Sequence, residues 1–256
     1  VPGENERVTV ELLEGGVGRD PALDLALPAA LLAMVGEARR GPVLRVHVPQ
    51  PTVAFGRRDT FLPGFARAAA AALRRGFAPC VRSAGGRAAA YDEGCLVLEE
   101  IMPSDDAAIG IRERFAAEAE RQAQALRRLG VDARVGDVPG EYCPGEFTVN
   151  ARAARKLIGT AQRTIRGAWM FSTVVVVASA DRIRGVLEDV YAALELEWDP
   201  GTVGAVADEV PGVGVDAVRE ALLDAYTERY ELVPAAVSLE EMAAGADLLD
   251  RHRVDV

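Results

Sequence analysis

Cys143 and Lys156 are the two side chains of this sequence best suited to covalent chemistry. Lys156 is the only lysine among 29 basic residues. Arginine is a planar fork that stays charged, whereas lysine is a compact point charge with three rotatable donors and a tunable pKa, suited to gripping one oxygen in a tight site. Cys143 stands in a loop bracketed by Pro139, Gly140, Pro144 and Gly145, with Glu141 and Glu146 on either side. The thiolate is the nucleophile, and a nearby ammonium favours its formation; the two carboxylates by themselves would raise the thiol's pKa. A loop and a returning strand between Cys143 and Lys156 could bring them together. Cys80 and Cys95 lie in apolar runs and are expected to be inert core residues. Three widely spaced cysteines fit reduced thiols better than a disulfide framework.

Two further segments accompany this pair: Pro51 to Thr60 and Arg82 to Leu96. Gly85 and Gly86 separate two strand-like runs, and a backbone without Cβ atoms can pass close to a ligand. Arg82 before them is a candidate anion partner. His47, in an expected strand, and His252, in an expected exposed tail, suggest no triad. No Cys/His/Asp cluster has metal-ligand spacing. Neither a strand followed by G-x-G-x-x-G nor a G-x-x-x-x-G-K loop is present, so a dinucleotide fold and a P-loop are unsupported.

The elements that must position these residues follow from periodicity. Strands are expected at 8–13, 43–48, 52–55, from 80, at 94–102, 147–150, 156–165 and 169–178. Helices are expected at 23–39, with Pro28 a kink or the true start, at 63–75 closed by Gly76, and at 111–130. After residue 180 the chain reads as helical, at 182–194, 215–230 and 239–249. Strands clustered before a helical tail predict an α+β fold, helices flanking a mixed or antiparallel sheet, in one domain over 1–256 whose 180–256 part is helical.

Half of the residues are apolar and 5% aromatic, a core of small side chains. A net charge of −10 argues against nucleic acid as partner. No run is long and apolar enough to span a bilayer. Glu4, Glu6 and Arg7 open the chain without an apolar h-region, so no secretory signal is expected and the cytoplasm is the expected compartment.

Taken together, the three segments resemble the biotin/lipoate protein ligase and acyltransferase superfamily over roughly Leu23 to Ala178. The glycine segment is similar to R-x-S-G-G-x-A-V-x-x-D-x-G-x-L, with Arg82, Gly85, Gly86, Ala88, Asp92, Gly94 and Leu96 in step. Lys156 to Arg163 is similar to the family strand whose lysine contacts the acyl carbonyl. Tyr142-Cys143-Pro144-Gly145 resembles the F-C-P-G loop of the octanoyl or lipoyl amidotransferase branch, which transfers the acyl group through a thioester on this cysteine.

The resemblance implies a fold like the catalytic core of class II aminoacyl-tRNA synthetases and an acyl tunnel beside the glycine loop. It also implies Cys143 and Lys156 as catalytic groups, and Arg82, Gly85, Gly86, Gly159, Thr160 and Ala161 as substrate-binding. No metal is expected, and transfer of the octanoyl or lipoyl group needs no cofactor. The implied partners are lipoyl-domain proteins, the glycine-cleavage H protein and the E2 subunits of 2-oxoacid dehydrogenases, served by a monomer. Two alternatives stand beside this: a lipoate ligase using ATP and Mg, which needs no cysteine, and a non-catalytic acyl-binding homologue. The sequence departs from the pattern at Ala84, at Arg87, whose guanidinium could narrow the tunnel or bind an anion, and at an extra residue within Ala151 to Arg155.

Overall fold

The computed structural model describes residues 7–18 and 20–255; Glu4 and Glu6 lie outside them. Among the described residues eleven strands and seven α-helices follow in the order β1 (Val8–Glu14), α1 (Pro21–Gly36), β2 (Val43–His47), β3 (Thr52–Phe55), α2 (Phe65–Arg74), β4 (Ala78–Val81), β5 (Ala89–Tyr91), β6 (Cys95–Pro103), α3 (Ile111–Arg128), β7 (Ala133–Val135), β8 (Val149–Ala151), β9 (Arg155–Ile165), β10 (Ala168–Val176), α4 (Ala180–Leu194), α5 (Val206–Glu209), α6 (Val215–Thr227), β11 (Tyr230–Ala235) and α7 (Leu239–Ala246). Eight strands form one sheet in the order β11-β1-β2-β6-β10-β9-β8-β7, and β4-β3-β5 form a second. β11, β1 and β2 run parallel, and the rest of the large sheet is antiparallel.

The α+β expectation holds. One feature of the expected tail does not: the 180–256 part is not wholly helical, because β11 returns to pair with β1 over Val8↔Tyr230 to Leu13↔Ala235. The short strands β5 and β7 were also not anticipated; each has three residues, too few for alternation to register. The expected exposed tail is likewise corrected. His252 is buried, its Nδ1 lies 2.8 Å from the Val81 carbonyl oxygen, and its own carbonyl accepts from the Val81 N–H. The tail thus closes the outer edge of β4, which would otherwise present unpaired backbone groups.

α1 begins earlier than Pro28. Asp20 caps it, its carboxylate accepting from the Ala22 N–H, and Pro28 sits inside. Proline has no N–H to give to the carbonyl four residues back, that of Asp24. Arg45, fully buried on β2, donates to that carbonyl instead at 3.1 Å. The same guanidinium pairs with the Asp24 carboxylate and reaches Glu99 on β6 at 3.5 Å. A buried cation is tolerable only while its partners stay. Asp24→Ala is therefore expected to cost about 3–5 kcal/mol, read as a lowered urea midpoint with an unchanged slope.

Antiparallel pairing sets side chains in rows across the large sheet. Gly159, Val174, Val97 and His47 face one another across β9, β10, β6 and β2; beside them run Ala161, Ser172, Glu99 and Arg45. This face carries α1 and the small sheet. The opposite face packs on α3, where Gln122 donates to Thr173 and Phe115 meets Phe171 edge-on at 5.2 Å.

Candidate active site

The hairpin between β8 and β9 delivers Lys156. Its turn places Arg152 and Ala153 at positive φ, and a register shift between Val149 and Asn150 bulges β9 at Leu157, beside the lysine. The side chain is buried, and its three donors meet three acceptors: the carbonyls of Tyr142 at 3.1 Å and Cys143 at 2.8 Å, and Glu141 Oε2 at 2.9 Å. The ammonium also stands 4.8 Å from the centre of the Tyr142 ring. Gly159 lies beneath it, where a Cβ would crowd Lys156 Cε at 3.1 Å.

Glu141 organises the loop around this ion. Besides Lys156 it accepts from the N–H groups of Val138 and Gly145 and from the Thr148 hydroxyl. Glu146 turns outward to Arg112. The expectation that these carboxylates raise the thiol is therefore corrected: one is neutralised by the lysine and the other is solvated.

Cys143 adopts a left-handed backbone, φ 42°. Its N–H donates to the Tyr191 hydroxyl at 2.8 Å, and that hydroxyl donates to the Ala88 carbonyl at 2.9 Å. Tyr191→Phe strips the partner from both backbone groups, an expected cost of about 1–3 kcal/mol, measurable as a drop in unfolding free energy. Sγ accepts from the Arg87 N–H at 3.2 Å and from Arg82 Nη2 at 3.3 Å. Burial, the largest single influence, raises the thiol's pKa; Arg82, then Lys156, then the Arg87 N–H oppose it and hold it below the usual thiol range. The other cysteines differ: burial pushes Cys80 and Cys95 up to about 12, as inert core thiols should be.

The glycine loop is built to approach this sulfur. Gly86 has φ 103°, and a Cβ on it would collide with Arg82 Nη2 and lie 2.8 Å from Cys143 Sγ. The Gly86 carbonyl rests against Gly56, where a Cβ would overlap it. Buried Asp59 secures both segments, accepting from the Gly56 N–H at 2.9 Å and from Arg87 Nη1 at 3.1 Å. Arg87 does find an anion, but one of the protein's own, so its guanidinium is drawn away from the thiol. Asp92 is a turn residue, accepting from the Gly94 N–H and paired with Arg182.

A groove of about 400 Å³ opens on Cys143, lined by Gly85, Gly86, Phe115, Phe147, Lys156, Thr160 and Ala161 among others. Six of the eight sequence-derived candidates line this groove, Gly85, Gly86, Cys143, Lys156, Thr160 and Ala161, while Arg82 touches the Cys143 sulfur and Gly159 lies against Lys156. Sequence reasoning missed Glu141 as the lysine's counter-ion and Tyr191 as the loop's anchor. Among the described residues no group of three or more His, Cys, Asp or Glu is placed to hold a metal ion, and no helix is long and apolar enough to cross a membrane.

The family model for the lipoyl protein ligase A/B catalytic domain matches residues 20–227. A protein of Anoxybacillus flavithermus named octanoyl-GcvH:protein N-octanoyltransferase is 35% identical over 152 residues, 59% of this chain and 54% of that protein. A protein of the same name from Geobacillus kaustophilus is 31% identical over 148 residues, 58% of this chain and 52% of its own length. The matches therefore span about half the length of these curated relatives. Among solved structures, a lipoate-protein ligase A bound with ATP shares the fold at TM-score 0.73 and 23% identity, covering 96% of this chain and 95% of that one.

Proposed function

Because the chain belongs to the lipoyl protein ligase A/B catalytic domain family, we propose that it is an acyltransferase moving an octanoyl or lipoyl group through Cys143 onto a lysine of a lipoyl-domain protein. The observation that carries this reading is the sulfur itself, facing two N–H donors beside an open groove, with its pKa held down by two cations. A ligase that activates the free acid has no use for such a thiolate.

In the first step Cys143 attacks the carbonyl of an acyl-lysine amide on the donor. The S–C bond forms, the C–N bond breaks, and the departing lysine amine takes a proton from water, balancing the one the thiol gave up on ionising. In the second step an acceptor lysine attacks the thioester; the C–N bond forms, the C–S bond breaks, and a proton returns to sulfur. Arg82 and the Arg87 N–H stabilise the thiolate before attack and after departure. Lys156 positions Cys143 by holding its carbonyl, and an acyl oxygen entering the groove competes for one of its donors. Donors set in advance where charge develops are worth about 10²-fold or more in rate.

The partners that fit are the glycine-cleavage H protein and E2 lipoyl domains, and the reaction needs no ATP. Incubation with octanoylated H protein followed by intact-mass measurement tests the proposal. An octanoyl adduct that passes to an apo lipoyl domain is the expected result; lipoate-dependent pyrophosphate exchange without an adduct would overturn it in favour of a ligase.

A further inference from the structure

A second groove reaches the glycine loop. One part of it, about 690 Å³, is lined by Arg57, Phe61, Arg82, Arg163 and Arg251 among others. The part next to it shares Arg57, Phe61 and Ser83 with the first, adds Arg58, and ends on Gly85 and Gly86. Those two glycines also line the groove that opens on Cys143. The arginine-lined surface therefore runs up to the mouth of the reactive site.

Its charge sets it apart from the rest of the molecule. The chain carries a net charge of −10, and surface arginines elsewhere are paired, Arg39 with Glu37, Arg75 with Asp189 and Arg112 with Glu146. No Asp or Glu lines either part of this groove. Arg57, Arg58, Arg163 and Arg251 are exposed and form no ion pair among the described residues. Like charges gathered without counter-ions repel one another, a cost that an acidic partner removes. Phe61, in their midst, is 76% exposed, and aromatic and arginine side chains together are the residues enriched in protein interfaces. The surface is also fixed to the site. Arg163 donates to the Ser83 carbonyl at 2.8 Å, and Asp59, next to Arg58, holds Gly56 and Arg87.

Resting on the acyltransfer reading, we propose that this arginine face is the docking surface for the lipoyl-domain partner, which meets it with carboxylates flanking the lysine that gives or receives the acyl group. Arg57, Arg58, Arg163 and Arg251 pair with those carboxylates, and Phe61 packs against an apolar residue among them. Donor and acceptor must each bring a lysine to the same sulfur, so one face serves both in turn. Charge complementarity of this kind speeds encounter and fixes register, and salt weakens it. A small anion needs one or two guanidinium groups; four of them around an exposed ring, over a surface broader than the thiol groove, fit the face of a protein.

Binding by the Cys143→Ser protein separates docking from chemistry. Its affinity for the apo H protein, read by calorimetric titration, is expected to fall about tenfold with Arg57→Glu or Arg58→Glu, because like charges then face each other. Arg74→Glu, the same change of charge at the C-terminal end of α2, is expected to stay within about twofold of the parent, since exposed charges more than a Debye length apart are screened. Raising NaCl from about 50 to about 300 mM is expected to weaken binding by the parent and to affect the Arg57→Glu protein less. With Cys143 in place, acylation by octanoyl-N-acetylcysteamine, a small uncharged thioester, is expected to proceed equally with and without Arg57→Glu, which shows the variant folded and its thiol intact. The docking surface is overturned by affinity indifferent to Arg57→Glu and Arg58→Glu or to salt, by an equal loss with Arg74→Glu, by no binding to the parent, or by slower acylation of the Arg57→Glu protein by the small thioester. A Cys143 that takes no acyl group from the small thioester or from octanoylated H protein overturns the acyltransfer reading instead, and the titrations still decide where the domain binds.

Discussion

Cys143→Ser is expected to abolish acyl transfer, lowering the single-turnover rate by at least about 10³-fold, as loss of a nucleophile does in enzymes with a covalent intermediate. Serine keeps the loop's geometry: the Cys143 N–H still reaches Tyr191 and the carbonyl still holds Lys156, because both contacts are made by backbone. What is lost is a sulfur whose ionisation Arg82, Lys156 and the Arg87 N–H favour. The control is thermal unfolding, expected to be unchanged within about 0.5 kcal/mol. Intact mass should find no adduct in the serine protein; an adduct of undiminished amount would place the nucleophile elsewhere.

Arg82→Gln is expected to act through the pKa of that thiol. Arg82 is the foremost of the groups that depress it, ahead of Lys156 and the Arg87 N–H. Its loss lets burial dominate, and the thiol's pKa rises. Below the thiol's pKa the thiolate fraction falls tenfold for each unit of that rise. The acid limb of the pH–rate profile should accordingly move to higher pH, with the rate at pH 7 down by about 10-fold or more and largely recovered at alkaline pH. A profile lowered equally at every pH would assign Arg82 to substrate binding alone. Alkylation by iodoacetamide, followed against pH, reports the same shift without substrate.

Much of the site was legible before the structure, and the reason is chemical singularity. A lone lysine and a cysteine in a Pro/Gly loop are visible in one dimension, and glycines that must yield to a neighbour are invariably small. Tyr191 was not legible: a tyrosine on an amphipathic helix looks like any other core aromatic until the helix is placed against the loop. Nor was the role of Glu141, because proximity to Cys143 in the chain suggested that its charge acts on the thiol, while the fold gives that charge to Lys156. The polar cluster around Arg45 did have a signal, in β6, where Glu99 and Glu100 interrupt an apolar run. Successive strand residues point to opposite faces, so a central strand with adjacent carboxylates must carry a polar pocket on each side. Glu100 meets Tyr230 on the α3 face and Glu99 meets Arg45 on the other. β11 escaped because Tyr230 to Ala235 follows directly on a helix and contains Pro234, which sheet edges accept and interiors do not.

The segment that closes β4 ties residues 249–253 to the reactive sulfur. Val81 is clasped by His252 on both its N–H and its carbonyl, and the very next residue is Arg82. A cut or fusion that unseats residues 249–253 would therefore leave the thiol and its groove in place while slackening the guanidinium that keeps the sulfur charged. Reactivity would fade before the fold did, and a label that displaces this segment would read as a loss of catalysis.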